Sequence, residues 1–255
     1  MKNRKIFLYT LLMSFFVMFT ACDEDEKPVN NNPTTGKFSI EFEHHFEGTA
    51  FNLGSTYTTD GAEDVNYNMV KYYISNIKMM NSAGPDFVDD DSYYIVDAND
   101  AGSLILEIDK VPFGEYHHIS YTIGVDSAKN VSGAQAGALS PSNNMFWSWN
   151  SGYIFVKLEG TSTSSANGKF EYHLGGFAGP NRAQVEKGHH MHTEKLNIVS
   201  GANPRVHIMV NMKNVFDGMH PFLVADQNDI KMPSEMAQHI AHNFGGGFEL
   251  DHVHN

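Results

Sequence analysis

The chain has 255 residues, 41% of them hydrophobic and 12% aromatic, and a formal charge of −13. That composition excludes a disordered tail, a coiled coil and a collagen-like repeat, and the acidic balance disfavours nucleic acid and anionic lipid headgroups as partners. A single Cys rules out a disulfide framework and a Cys-rich zinc module, whereas 14 His make imidazole-based metal binding worth testing.

The first segment reads as an address. Lys2, Arg4 and Lys5 precede an almost wholly apolar run, Ile6 to Ala21, which stops at Cys22. A basic start, an apolar run and small residues before a cleavage point describe a secretory signal. The run is shorter than the roughly 20 residues of a spanning helix. With the one Cys at its end it resembles a bacterial lipoprotein signal, so Cys22 is the expected lipidation site. Asp23 to Lys27 is a charge run that suits either surface export or plain solvation. Pro28 to Gly36 reads as a flexible tether. The expected organisation is a signal over 1–21, an acidic anchor and tether over 22–36, and one domain over 37–255.

Strand signals then follow one another. Phe38, Ile40, Phe42, His44 and Phe46 alternate, as do Val70, Tyr72 and Ile74. Leu104, Leu106 and Ile108 continue the pattern, then Ile119, Tyr121 and Ile123, then Ile154, Val156 and Leu158, then Val206, Ile208 and Val210. Short alternating strands with Gly-rich turns predict an all-β, antiparallel β-sandwich-like single domain. One short helix is expected near the C-terminus, with Pro233 at its first position, Met232, Met236 and Ile240 on one face, and Gly245 to Gly247 as its stop. A last strand places Phe248, Leu250, His252 and His254 in one phase.

Strand phase also sorts the histidines. His44 shares a face with Phe38, Ile40 and Phe42. An imidazole on an apolar face must hydrogen-bond or bind something. Histidines at i and i+2, such as His252 and His254, can both face one ion. First and last strands lying side by side would bring His44 to them; satisfied core or rim histidines are the plainer alternative. His173 opposes the phase of Phe170, Tyr172 and Leu174. His189, His190 and His192 suit a solvated loop better than a second metal site, and His207 carries no usable pattern. No phosphate-binding Gly loop, HExxH or Gly-x-Ser-x-Gly elbow is present, and the Asp89 to Asp91 run lacks an EF-hand layout.

Several longer segments occur together: Val70-Lys71-Tyr72-Tyr73-Ile74-Ser75-Asn76-Ile77, Ile123-Gly124-Val125-Asp126-Ser127, and Asn130-Val131-Ser132-Gly133-Ala134-Gln135. Met145 to Gly160, with both Trp residues, Tyr172-His173-Leu174-Gly175-Gly176 and Asp251-His252-Val253-His254-Asn255 complete the set. In these the chain resembles the methanobactin-associated MbnP-like family of periplasmic or lipid-anchored copper-binding proteins. The resemblance implies a β-sandwich-like fold and copper, as Cu(I) or Cu(II), held by histidines, with zinc as the alternative ion. It implies His173, His44, His252 and His254 as candidate metal ligands. It also implies oxidation of Trp147 or Trp149 to kynurenine by an MbnH-type di-haem peroxidase-like partner, with an outer-membrane transporter as a further partner. Relatives carry a His after the Asn of the Gly-Val segment; here Val131 stands there. The expectation is therefore a non-enzymatic copper-binding lipoprotein of the outer membrane, facing the periplasm or the cell surface. A carbohydrate- or partner-binding surface lipoprotein, with Trp147 and Trp149 as an aromatic platform, is the alternative.

Overall fold

The computed structural model describes residues 34–255 apart from Asp91, Ala134, Trp149 and Asn150. The expected signal, Cys22, most of the tether and Trp149 lie outside the described residues. The longer strands are β1 (Thr35–Phe46), β2 (Asp64–Asn81), β3 (Tyr93–Asp97), β4 (Ile105–Pro112) and β5 (Gly114–Ile123). They continue as β6 (Val156–Thr161), β7 (Lys169–Leu174), β8 (Val185–His190), β9 (Leu196–Ile198), β10 (Arg205–Asn211) and β11 (Phe248–His254).

Two sheets account for them. The smaller runs β11–β10–β1 and ends on the short strand Thr49–Ala50, with β4 also paired to β1. The larger runs β8–β5–β2–β6–β7, with β9 on β5 and β3 on β2. The expected all-β sandwich is thus present. Its ladders are antiparallel except where β1 meets β10 and where β7 meets Asp229–Ile230.

Period-two patterning explains which faces meet. Phe38, Ile40, Phe42 and Phe46 of β1 are buried, and so are Val206, Ile208 and Val210 of β10. Phe42 then crosses to the larger sheet, edge-on to Tyr72 at 6.1 Å and to Tyr121 at 5.9 Å. Phe248 of β11 meets Tyr72 at 5.6 Å, so one aromatic core is shared by both sheets. Burying a side chain such as Phe42 contributes about 1.5–3 kcal/mol.

The C-terminal helix is present as α3 (Glu235–Gly246), preceded by the four-residue helices α1 (Ser127–Asn130) and α2 (Asn214–Asp217). Its start differs from expectation. Ser234 is the N-cap, accepting the Ala237 N–H, and Met232 lies outside the helix and is exposed. A side-chain acceptor for the first free N–H groups sets the boundary better than the Pro before it. Ala237, Ile240, Ala241 and Phe244 form the buried stripe.

β11 is an outer strand of its sheet, and its C-terminal end lies beside β9 of the other sheet. The Asn197 N–H donates to Asn255 Oδ1 at 2.7 Å, and Asn255 Nδ2 donates to the Lys195 carbonyl at 2.9 Å. A clasp of side chain on backbone, not a ladder, closes this seam. Among the described residues no helix is long and apolar enough to cross a membrane.

Candidate metal centre

A β-bulge gathers two histidines and a carboxylate into one group of metal-ligating side chains. Along β10 and β11, His207 faces His252 and Ile208 faces Leu250, so Asp251 is an extra residue with no partner. A bulge re-aims the side chains that follow it. Phe248 and Val253 are buried, while His252 and His254 turn to the outer face. The expected common phase of Phe248, Leu250, His252 and His254 is therefore broken at Asp251.

On that outer face His207 Nδ1, Asp251 and His252 offer ligand atoms within 4.8 Å of one another. Asp251 Oδ2 is the hub, 2.7 Å from His252 Nδ1 and 3.3 Å from His207 Nδ1. Hydrogen bonds from both imidazoles hold the Asp251 carboxyl below its ordinary range. His252 Nε2 and His254 Nε2 lie 2.6 Å apart. The His207 and His252 rings sit 4.8 Å apart, tilted by 52°. Behind them, Glu43 Oε2 is 3.1 Å from His207 Nε2. A carboxylate on one ring nitrogen fixes the tautomer and leaves the other nitrogen free to ligate. Ligand atoms on one tetrahedral ion at about 2.0–2.1 Å would stand about 3.3 Å apart, so modest rotations suffice to admit one. Nitrogen with carboxylate oxygen suits Cu(II) or Zn(II).

The other expected ligands do not join this group. β10 lies between β1 and β11, so the first and last strands are not neighbours. His44 points into the core, buried, with Nε2 3.2 Å from the Tyr72 hydroxyl. Burial, aided by the charge of His45, lowers its pKa to about 4. It borders a cavity of about 480 Å³, but tyrosine already satisfies it. His173 stands on β7 opposite Lys157, with Nε2 2.8 Å from Glu159 Oε1. Burial is the largest influence on it and leaves its pKa below the usual value, despite that carboxylate. His207 was missed: its antiphase to Val206, Ile208 and Val210 marks an outer face, but nothing in β10 alone names its neighbours. The expected loop at His189 and His190 is instead strand β8, paired to β5.

Trp147 is half-buried in the short strand Phe146–Ser148. Its Nε1 is enclosed without a hydrogen-bond partner. Gly175 makes room for the ring: a Cβ there would lie 2.7 Å from Trp147 Cζ3. Asn130 ties the same region together, accepting the Tyr153 N–H at 2.9 Å, and Tyr153 is fully buried. Trp147 therefore offers only part of its ring to solvent, and Trp149, the other member of the expected aromatic platform, lies outside the described residues.

The class these features define is a β-sandwich domain with imidazole and carboxylate donors gathered on an outer face. The profile of the MbnP family matches residues 35–237, and the chain belongs to that family. MbnP from Methylosinus trichosporium is a similar solved structure, with 13% sequence identity, a TM-score of 0.47, and coverage of 77% of this chain and 80% of that one. No curated protein matches the chain. The family match ends before β11, so Asp251, His252 and His254 lie beyond it.

Proposed function

We propose that this protein is an extracytoplasmic copper-binding lipoprotein, anchored through Cys22 to the outer membrane and facing the periplasm or the cell surface. It serves copper acquisition or handling and carries the ion as cargo, with no catalysis of its own. Family membership supports the methanobactin-associated setting. The observation that carries the reading is Asp251 Oδ2 between His207 Nδ1 and His252 Nδ1, with His254 adjoining. His207, Asp251 and His252 would hold Cu(II), and Glu43 would orient His207. The same proposal assigns an MbnH-type di-haem protein as partner and Trp147 or Trp149 as the oxidised residue. The enclosed, unpaired Nε1 of Trp147 is consistent with a ring that gains partners only after opening.

The test is metal analysis of protein from its native host, followed by Cu(II) titration of wild type and of His207→Ala/His252→Ala. Near-stoichiometric copper, with Cu(II) affinity lowered at least 100-fold in the variant, is expected. Unchanged affinity in the folded variant would remove this cluster from the reading. Peptide mapping of Trp147 and Trp149 checks the oxidation.

A further inference from the structure

A second group of soft donors lies on the other sheet. Met80 of β2 faces His118 of β5, and His118 faces His190 of β8. The three form a row across adjacent strands, where directly opposed side chains stand about 4.5–5.5 Å apart at Cβ. All three point outward: their flanking residues Met79, Ile119 and His189 are buried, and Met80 is 44% exposed. The His118 and His190 rings lie 4.5 Å apart at 57°, and His192 stacks on His190 at 5.4 Å and 26°.

Two further observations point to a ligand. His118 Nδ1 is shielded and has no hydrogen-bond partner. An enclosed imidazole nitrogen without a partner is costly unless something fills its lone pair. His118 also leans over Gly188, where a Cβ would lie 2.9 Å from its Nε2. Glycine at that position lets the ring lie low across the strand, toward His190.

We infer that Met80, His118, His190 and His192 form a second metal site, selective for Cu(I). Thioether with imidazole and no carboxylate is a soft donor set, unlike the mixed nitrogen and oxygen set around Asp251. The row stands apart from the first cluster in sheet, donors and preferred oxidation state, and its test does not depend on that cluster.

The experiment uses the His207→Ala/His252→Ala protein, so that the first cluster is removed. It assigns the retained ion to the row through His190→Gln and Met80→Leu, since the His220, His239 and His242 group stays in place. Cu(I) alone is titrated anaerobically against a chromophoric Cu(I) chelator. One retained equivalent is expected, with affinity falling at least tenfold in His190→Gln and in Met80→Leu. Zn(II) affinity should be insensitive to Met80→Leu. His190 and Met80 are exposed, so both variants should fold, and circular dichroism confirms it. Absence of a Cu(I) equivalent in this background overturns the site. So does an affinity unchanged by His190→Gln, or Zn(II) bound in preference to Cu(I). Loss of Cu(II) binding with Cu(I) retained would show the two sites to be separate.

Discussion

His44 shows how a histidine in phase with phenylalanines can be spent on structure. Its neutral ring bonds Tyr72, and its folded pKa lies at about 4 against 6.5 in the unfolded chain. The unfolded state therefore takes up the proton first as pH falls. Stability held above pH 6.5 should decline from there down to pH 4. The loss from this residue should be about 2 kcal/mol by pH 5. Denaturant unfolding of wild type and His44→Gln at pH 7 and pH 5 measures it; a pH dependence equal in both would remove His44 as its source. A second residue-scale expectation concerns Gly175. A Cβ there would stand 2.6 Å from the Tyr153 carbonyl as well as against Trp147. Gly175→Ala should cost about 1–3 kcal/mol from overpacking and should shift Trp fluorescence. At this scale the sequence told which face a side chain takes. It did not tell that tyrosine would satisfy His44, or that Glu159 would engage His173.

At the scale of the element, the last strand is the instructive case. Its alternation was legible, and His252 and His254 were legible as a pair, but the bulge at Asp251 was not. A bulge is set by the partner strand: Ile208 takes Leu250 and His207 takes His252, which leaves Asp251 over. Deleting Asp251 should restore a regular ladder without turning His252 inward, because the deleted residue is the unpaired one. The shortened strand should keep its melting temperature within a few degrees while Cu(II) affinity falls at least tenfold. A collapse of stability would instead mean that the bulge supports the fold. The helix shows the same limit: its apolar spacing was readable, yet Ser234, not Pro233, set its start.

For the whole molecule, short alternating strands foretold two sheets around one core, and the structure has them. Strand order was out of reach, because it depends on pairings between residues far apart in the chain. Placing β10 between β1 and β11 separates His44 from His252 and brings His207 into the group instead. The same order exposes the edge of β11, where Asn255 closes the seam to β9. Asn255→Ala should therefore leave global stability nearly unchanged while increasing amide exchange along β11, read by hydrogen–deuterium exchange.

That seam has a bearing on how cargo would leave. β11 carries Asp251, His252 and His254, whereas His207 stays with the better-paired β10. Fraying of this one edge strand would strip the ion of most of its donors in a single event, and a loaded ion would staple the strand down. Retention and release would then be governed by a local opening at the sheet's edge, with the rest of the sandwich remaining shut.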